Sequence, residues 1–215
     1  MRANIVSVAN QHRVSAILLA AGKSQRMGER NKLLLPLRRK TVLELVLGAL
    51  LGAKDVGEVI VVTGEDRAAV EAVLTGLAVR SVFNPDFEAG MAGSISTGVA
   101  AASATASGYL ICPGDLPLLT PAIVQTLCRE LAAAPEGTIV APAFRGRRGH
   151  PVIFSRTYRE TLLALQGDRG ARPVIQANMK HLLEVSLNTD AILRDVDTPE
   201  DYRKVRKISN NNLNS

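Results

Sequence analysis

The first residues that could take part in chemistry lie in a short loop near the start of the chain. This loop, LAAGKSQRMG at 19–28, follows an apolar run and contains Gly22, Lys23, Ser24 and Arg26. Small residues let backbone N–H groups approach an anion closely, and the lysine and arginine add positive charge. The loop therefore predicts a phosphate-binding site. It is not a Walker A loop, which would need glycine in place of Ile17, and it does not fit the GxGxxG dinucleotide fingerprint.

Two aspartates further along the chain are candidate metal ligands. Asp115 follows an apolar run in the segment CPGDLP, where glycine and proline stiffen the backbone. A buried aspartate that caps the next turn is an equally good interpretation. Asp197 lies in DVDTPED, where a helix start with Thr198 as N-cap explains Glu200 and Asp201 but not Asp197. Two carboxylates opposite lysine and arginine suit Mg²⁺ bound to a triphosphate.

The positive charge of the chain is concentrated in two segments. Of 215 residues, 26 are Lys or Arg and 20 are Asp or Glu, for a net charge of +6. Residues 23–40 carry +6 and residues 145–172 carry +5, which leaves −5 on the rest of the chain. The segments are either solvated loops or loops that face anionic ligands. Aromatic residues make up only 3% of the chain, which argues against a nucleic-acid-binding module that stacks bases.

The elements that must position these residues alternate between strands and helices. Short apolar runs predict strands at 14–19, 58–63, 79–83, 109–112 and 138–142. Apolar residues at helical spacing, with Thr41, Asp66 and Thr120 as N-caps, predict helices at 41–53, 66–74, 94–102 and 121–133. This alternation predicts an α/β fold, with a Rossmann-like, doubly wound, mostly parallel sheet and helices on both faces. Ligands of such sheets bind at the carboxyl ends of the strands.

Beyond residue 143 the pattern is less regular. We predict a basic turn at 145–150, a hairpin partner strand at 151–154, helices at 155–165 and 169–177, and a late strand at 181–187. No linker or repeat divides the chain, so we predict a single domain at 14–208. An N-terminal extension at 1–13 precedes it, and a polar C-terminal tail at 209–215 follows it.

The sequence gives no signal of secretion or membrane insertion. Residues 1–14 lack the apolar core and the cleavage site of a signal peptide, and no apolar run approaches about 20 residues. The two cysteines, Cys112 and Cys128, form neither a disulfide framework nor a zinc-binding spacing. We therefore expect a cytoplasmic protein that binds neither membranes nor nucleic acid.

Six segments of the sequence form an ordered set of motifs. They are LLAAGKSQRMGERNKLLLP (18–36), NPDFEAGMAGSISTG (84–98), PGDLPLL (113–119), RGRRGHPVIF (145–154), GDRGAR (167–172) and DVDTPED (195–201). Together they resemble the MobA-like nucleotidyltransferases, and most closely the molybdenum cofactor cytidylyltransferase branch. The resemblance covers nearly the whole domain, from about Ser15 to about Tyr202, and implies the fold of the nucleotide-diphospho-sugar transferases.

The resemblance also implies roles for individual residues. Nucleotide binding would fall to two loops that contain Leu19, Ala20, Ala21, Gly22, Lys23, Ser24, Asn84, Gly90 and Ser94. Catalytic roles would fall to Lys32, which would neutralise the α-phosphate, and to Arg26 and Asp115. Mg²⁺ would be the cofactor, with Asp115 and Asp197 as ligands. The second substrate, phosphate-bearing molybdopterin, would meet Gly149, His150, Pro151, Arg169 and Arg172. For His150, a packing or turn role is an equally good interpretation.

The implied reaction is transfer of CMP from CTP to the terminal phosphate of molybdopterin or molybdenum cofactor, with release of pyrophosphate. A molybdoenzyme or its chaperone would accept the dinucleotide product. Ala21 favours the cytidylyl branch, since guanylyl relatives typically carry an extra glycine at this place. The alternatives within the enzyme class are a GTP-using guanylyltransferase and a sugar- or alditol-phosphate nucleotidyltransferase. From another class, the alternative is a non-catalytic module that binds nucleic acid or a partner through its basic loops.

Overall fold

The computed structural model, which describes residues 13–28 and 31–211, is built from ten strands and seven α-helices. The strands are β1 (Val14–Ala20), β2 (Pro36–Leu37), β3 (Lys40–Thr41), β4 (Val56–Thr63), β5 (Arg80–Phe83), β6 (Gly108–Pro113), β7 (Ile139–Phe144), β8 (Arg147–Arg148), β9 (Val152–Ser155) and β10 (Leu182–Ser186). The helices are α1 (Val42–Leu51), α2 (Arg67–Leu74), α3 (Met91–Ala101), α4 (Pro121–Ala133), α5 (Arg159–Leu163), α6 (Arg172–Ala177) and α7 (Pro199–Asn211).

The main sheet has the strand order β10-β7-β9-β6-β1-β4-β5, and β8 pairs with β7. Strand β1 is parallel to β4 and β6, β4 is parallel to β5, and β10 is parallel to β7. Strand β9 is antiparallel to both of its neighbours, β6 and β7. Strands β2 and β3 form a separate hairpin. The predicted α/β fold with a mostly parallel sheet is confirmed.

The two faces of the sheet bury different sets of side chains. On one face, Ala16 and Leu18 of β1 belong to an apolar cluster that includes residues of α1, α2 and α4. On the other face, Ile17 belongs to a cluster with residues of α3, α5 and α6. Helices therefore cover both faces, as predicted. This is why β1 is a continuous apolar run rather than an alternating one.

Local capping signals define several helix starts. The Thr41 hydroxyl accepts a hydrogen bond from the Glu44 N–H at 3.2 Å, and the Glu44 carboxylate accepts one from the Thr41 N–H at 2.6 Å. This capping box begins α1. Thr120 caps α4 as predicted. Asp66 occupies the N-cap position of α2 but makes no capping hydrogen bond, since its carboxylate accepts from Asn31 Nδ2 at 2.8 Å instead.

Helix α3 begins three residues earlier than its sequence pattern indicates, at Met91 rather than at Ser94. The residue before it, Gly90, has a φ of 113° that favours glycine. The Ala92 N–H then donates to the carbonyl oxygen of Gly167 at 3.2 Å. A contact from a distant segment therefore stabilises the first turn, and the local sequence does not reveal it.

The last third of the chain departs furthest from prediction. The helix predicted at 155–165 is a 3₁₀ turn, Arg156–Tyr158, followed by the short α5, and the helix predicted at 169–177 begins only at α6. The basic turn at 145–150 contains strand β8. Strand β9 pairs with β6 as well as with β7, because it is inserted between these two strands. The late strand is confirmed as β10.

The segments predicted to flank the domain fall mostly outside the described residues. Helix α7 continues to Asn211, past the predicted domain end at 208. Of the predicted N-terminal extension only Arg13 is described, and residues 212–215 of the predicted tail also lie outside the described ranges. Within those ranges, no helix combines the length and the apolar character needed to cross a membrane.

Candidate functional site

A cavity of about 730 Å³ lies against the loop that follows β1, and we call it the loop cavity. Gly22, Lys23, Ser24 and Arg26 contribute to its walls. Ser24 adopts a left-handed conformation, with φ of 50° and ψ of 28°. Its hydroxyl accepts a hydrogen bond from the Lys32 N–H at 3.1 Å, which offsets part of the cost of this conformation. The loop and Lys32 are therefore held together by a local hydrogen bond.

Lys32 joins the two predicted metal ligands. Its Nζ lies 2.5 Å from Asp197 Oδ1 and also donates to Asp115 Oδ2. The Lys32 and Asp115 side chains are only 18% and 11% exposed. Burial by itself disfavours the charged ammonium group, but the two carboxylates outweigh this effect and raise the pKa of Lys32. Lys32 is therefore a charged group at neutral pH, with a carboxylate on either side.

The other cations of this loop also hold carboxylates. Arg26 Nη1 donates to the second oxygen of Asp197 at 2.9 Å. Lys23 forms a salt bridge with Glu88, in the segment before α3. An anion that enters the loop cavity must therefore compete with carboxylates for the positive charge of the loop.

Asp115 has one carboxylate oxygen whose environment fits a cation. This oxygen, Oδ1, is buried and has no hydrogen-bond partner among the described residues, an arrangement that is costly unless a cation approaches. The other oxygen pairs with Lys32, and we find no turn capped by this side chain in the described ranges, so the capping interpretation is wrong. Nor do three or more His, Cys, Asp or Glu side chains there form a metal-binding group. Two carboxylates suit Mg²⁺ that completes its shell with phosphate oxygens and water.

The segment around Val196 fixes the position of the second metal-ligand candidate. Val196 is fully buried in a cluster with Leu37 and Val205, and its N–H donates to the Asp115 carbonyl oxygen at 2.9 Å. On either side of it, Asp195 and Asp197 line the loop cavity. Burial, with repulsion from Asp115 and Asp197, raises the pKa of Asp195. Apolar burial of one residue therefore brings its acidic neighbours beside the end of β6.

A second cavity of about 830 Å³ adjoins the loop cavity, and we call it the sheet cavity. Its walls include the apolar side chains of Leu19, Ile95, Ile111, Val152 and Phe154. The charged residues that line it are Arg148, Asp168, Arg169 and Arg172. Three guanidinium groups against one carboxylate favour an anionic ligand with an apolar body.

The two cavities share a wall. Its residues are Met91, Pro113, Arg148, Gly149, His150 and Arg172. Gly149 packs so closely that a Cβ at this position would lie 2.3 Å from the Ile192 carbonyl oxygen, which also accepts a hydrogen bond from the His150 N–H at 3.0 Å. His150 is exposed to the cavities, but the protein around its ring limits hydration, and this desolvation lowers the pKa of the imidazole. The positive charge of Arg172 lowers this pKa further, whereas the negative charge of Asp115 opposes the shift.

Comparison with known protein families assigns a family to this chain. Residues 16–184 match the MobA-like NTP transferase domain. The chain belongs to the MobA-like NTP transferase family. Membership of this family supports nucleotidyl transfer as the general activity.

The curated relatives of this MobA-like protein carry different names. It is 34% identical to the purine catabolism protein PucB of Bacillus subtilis, over 89% of this chain and 95% of that protein. It is 32% identical to a nicotine blue oxidoreductase of Paenarthrobacter nicotinovorans, over 87% and 93% of the two chains. It is 29% identical to a probable molybdenum cofactor guanylyltransferase of Mycolicibacterium paratuberculosis, over 91% and 96%.

Solved structures similar to this MobA-like protein share its fold over almost their whole length. Rv0371c from Mycobacterium tuberculosis is 30% identical, with a TM-score of 0.81 over 91% of this chain and 97% of that one. A complex of Rv0371c with manganese has a TM-score of 0.76 at 27% identity, over 91% and 98%. A nucleotidyl transferase from Methanothermobacter has a TM-score of 0.82 at 28% identity, over 93% and 99%.

The residues predicted to hold the nucleotide lie in three places. Gly22, Lys23 and Ser24 line the loop cavity, whereas Leu19 lines the sheet cavity. The Leu19 carbonyl oxygen accepts a hydrogen bond from the Gly114 N–H at 3.0 Å. Ala20 and Ala21 are buried, at 3% and 5% exposed. Direct backbone contact of these three residues with a nucleotide stays a prediction.

Asn84, Gly90 and Ser94 lie around the start of α3. Asn84 Nδ2 donates to the Ser94 hydroxyl at 3.0 Å, and Asn84 Oδ1 accepts from the Asp86 N–H at 3.0 Å. Both side chains are buried, at 2% and 4% exposed, so they stabilise the turn from within. A Cβ on Gly90 would lie 2.6 Å from the Gly167 carbonyl oxygen, which shows how closely the 167–172 segment approaches. Contact of Asn84, Gly90 and Ser94 with a nucleotide stays a prediction.

The residues predicted to meet the second substrate are brought together around the sheet cavity. Gly149, His150 and Arg172 lie in the shared wall, and Arg169 lines the sheet cavity alone. Pro151 is buried next to them. Arg169 Nη2 donates to Gln176 Oε1 at 3.1 Å. Two basic loops therefore converge on adjoining cavities.

Several residues of the cavity walls were not singled out from the sequence: Met91, Arg147, Arg148 and Asp195. The two arginines contribute to the basic segment at 145–172, but a charge count does not tell which way a side chain points. In the structure both side chains line the loop cavity. Asp195 lies two residues before Asp197 with a buried valine between them, and this alternation was the available signal.

Proposed function

We propose that this protein transfers CMP from CTP to the terminal phosphate of molybdopterin or molybdenum cofactor, releases pyrophosphate and forms the dinucleotide cofactor. The observation that carries the proposal is the convergence of Asp115, Asp197 and Lys32 in one cavity that adjoins a second cavity with cationic walls. In this proposal the loop cavity holds the triphosphate and the sheet cavity holds the acceptor.

Mg²⁺ is the proposed cofactor, with Asp115 and Asp197 as its ligands. The buried, unpartnered oxygen of Asp115 and the partly exposed carboxylate of Asp197 fit a hard cation that keeps phosphate and water ligands. When bound, the metal offsets negative charge on the triphosphate. The relative solved in complex with manganese supports a divalent metal.

The residues of the chain position the reacting groups and offset their charge. In this scheme an oxygen of the acceptor phosphate attacks the α-phosphorus, in line with the leaving group. The bond from the α-phosphorus to the bridging oxygen breaks, and its electron pair leaves with pyrophosphate. Lys32 offsets charge on the α-phosphate, and Arg26 with the Gly22–Ser24 loop holds the other phosphates. The acceptor phosphate is already ionised at neutral pH, so no general base is required.

The sheet cavity is the proposed site of the acceptor. Its apolar walls suit the body of a pterin, and Arg169 and Arg172 supply positive charge for anionic groups. The shared wall at Gly149 and His150 places this cavity directly beside the carboxylates. A molybdoenzyme or its chaperone is the proposed recipient of the product.

The choice of CTP rests on Ala21. A Cβ at Gly64 would lie 2.5 Å from the Ala21 carbonyl oxygen, so the backbone of Ala21 is closely packed and has little freedom to move. The resemblance supports this choice, since guanylyl relatives typically carry an extra glycine at the place of Ala21. Guanylyl transfer is the second candidate, and the 29% identity with a probable molybdenum cofactor guanylyltransferase favours it.

The test is incubation of the purified protein with molybdenum cofactor, Mg²⁺ and one of CTP, GTP or ATP, with pyrophosphate release as the readout. We expect release with CTP that depends on the acceptor. An Ala21→Gly variant tests the choice of base, and we expect its ratio of GTP to CTP activity to rise. Release with GTP alone would overturn the choice of CTP. No release with any nucleotide would overturn the proposed reaction.

A further inference from the structure

The arm formed by β7 and β8 holds its arginines in a fixed geometry. Phe144 pairs with Arg147 and Ala143 pairs with Arg148, so only Arg145 and Gly146 form the turn between the strands. Both turn residues have positive φ, 49° and 76°, as a type I′ hairpin turn requires. The short turn and the pairing therefore fix where the backbones of Arg147 and Arg148 lie.

The three arginines of this arm have different surroundings. The guanidinium of Arg145 lies 5.1 Å from the centroid of the Phe144 ring, and this residue lines neither cavity. Arg148 lies in the shared wall, with its Nε 3.4 Å from Glu184. Arg147 lines the loop cavity and not the sheet cavity. Among the described residues, no carboxylate lies within 4.0 Å of Arg147.

Arg147 differs in this respect from the cations that the segment after β1 contributes to the loop cavity. Lys23, Arg26 and Lys32 each hold a carboxylate, so they bind an anion only after exchanging a partner. Among the residues that the structure describes, Arg147 has no such partner to give up. A guanidinium group that faces a cavity built for phosphates binds an oxyanion with two parallel hydrogen bonds.

We infer that Arg147 is a further phosphate-binding residue, which holds the β- and γ-phosphates of the nucleotide and then the leaving pyrophosphate. This inference rests on the proposed function of the loop cavity. As the bond between the α-phosphorus and the bridging oxygen breaks, the electron pair and its negative charge pass to pyrophosphate. Arg147 offsets this charge and exchanges no proton. Its absence from the walls of the sheet cavity separates it from the acceptor phosphate.

The test compares Arg147→Gln with Arg145→Gln, which removes the same charge from the same arm. Binding of inorganic pyrophosphate in the presence of Mg²⁺ is measured by calorimetry, without acceptor or turnover. Loss of a charged hydrogen-bonding group predicts a dissociation constant about tenfold higher for Arg147→Gln. Arg145→Gln should stay within about twofold of the unmodified protein, because Arg145 does not face the cavity. Thermal unfolding checks that both variants fold.

A second variant, Arg147→Lys, keeps the charge but loses the paired hydrogen bonds, so we expect an intermediate affinity for pyrophosphate. Equal affinity of Arg147→Gln, Arg145→Gln and the unmodified protein would overturn the role of Arg147 and leave the proposed reaction intact. An Arg147→Gln variant in which only the KM for the acceptor rises would also overturn that role. If the unmodified protein binds neither pyrophosphate nor any nucleoside triphosphate, the proposed function fails and this inference fails with it.

Discussion

At the scale of single residues, the site is organised around charges that neutralise one another. Lys32 lies between Asp115 and Asp197, and Arg26 holds the far oxygen of Asp197. The carboxylates keep the cations in place, and the cations keep two nearby carboxylates from repelling each other. Under the proposed function, nucleotide and metal take over these interactions in an exchange of partners. Loss of any one of these four side chains therefore disturbs the ion pairs of the free site as well as the proposed contacts with nucleotide and metal.

Replacement of Lys32 or Asp115 by alanine should each lower kcat by at least about 100-fold, the scale of one lost preorganised electrostatic group. Steady-state pyrophosphate release measures the effect. Lys40→Ala is the matched control, because Lys40 is exposed on β3 and lines neither cavity. Near-normal kcat in the Lys32 and Asp115 variants would contradict the assignment of both residues.

Removal of the divalent metal should weaken CTP binding by at least about tenfold, as measured by calorimetry with Mg²⁺ and with EDTA. Without the metal, Asp115 and Asp197 keep Lys32 and Arg26 as partners, so less positive charge is available to the triphosphate. In an Asp115→Asn variant the difference between the two conditions should shrink, because one of the two proposed ligands has lost its charge. Equal affinity of the unmodified protein with Mg²⁺ and with EDTA would show that the carboxylates hold no metal.

At the scale of elements, close packing of one turn against another defines the boundary between the cavities. Gly149 packs against the 3₁₀ turn Ala191–Leu193, close to the carbonyl oxygen of Ile192. The next residue, His150, donates its backbone N–H to that same oxygen. This contact links the strand β8 side of the sheet to the segment that carries Asp195 and Asp197. The shared wall therefore depends on a position where no side chain fits.

Gly149→Ala should lower the free energy of unfolding by about 1–3 kcal/mol, because its Cβ would lie 2.3 Å from the Ile192 carbonyl oxygen. Urea denaturation measures the change. Gly48→Ala is the control of opposite sign, since Gly48 lies in α1 with no atom within 4 Å of an added Cβ, and alanine there should add about 0.5–1 kcal/mol. If the Gly149→Ala variant is as stable as the unmodified protein, the backbone around Ile192 can move to accommodate the added Cβ, which would contradict this prediction.

The sequence predicts the features that depend on local interactions better than those that depend on contacts between distant segments. Thr41 and Thr120 indicate the starts of their helices because a cap is a short-range interaction. The insertion of β9 depends on pairing with β6, which lies more than forty residues earlier, so no local pattern reveals it. The pairing of Asp115 with Asp197 was predicted from the family resemblance and not from the rule that ligands bind where strands end, because Asp197 lies in the segment between β10 and α7. Their contact with Lys32 was not, because it joins positions 83 and 165 residues apart.

At the scale of the whole molecule, the fold turns two basic segments of the sequence into two adjoining cavities. The first segment contributes Lys23, Arg26 and Lys32 to the loop cavity. The second contributes Arg147 to the loop cavity, Arg169 to the sheet cavity, and two arginines to the wall between them. The net charge of +6 is therefore a poor guide to where an anion binds, since seven of the 26 Lys and Arg residues line the two cavities.

This arrangement predicts little affinity for duplex DNA, because the cations of a concave site cannot track a regular backbone of phosphates. Fluorescence anisotropy with a labelled duplex, at about 50 mM and about 200 mM salt, measures this affinity. We expect weak binding at the lower salt concentration and none at the higher. CTP binding under the same conditions is the positive control. Tight, steeply salt-dependent binding to the duplex would favour the nucleic-acid-binding alternative.

The wall shared by the two cavities has a consequence for what happens after the reaction. Under the proposed function, the product fills both cavities at once and is a bivalent ligand, whereas each substrate fills only one. When one end of such a ligand dissociates, the other end keeps it at high effective concentration. Escape into bulk solvent is then slow, and turnover is limited by how quickly a recipient protein removes the finished dinucleotide.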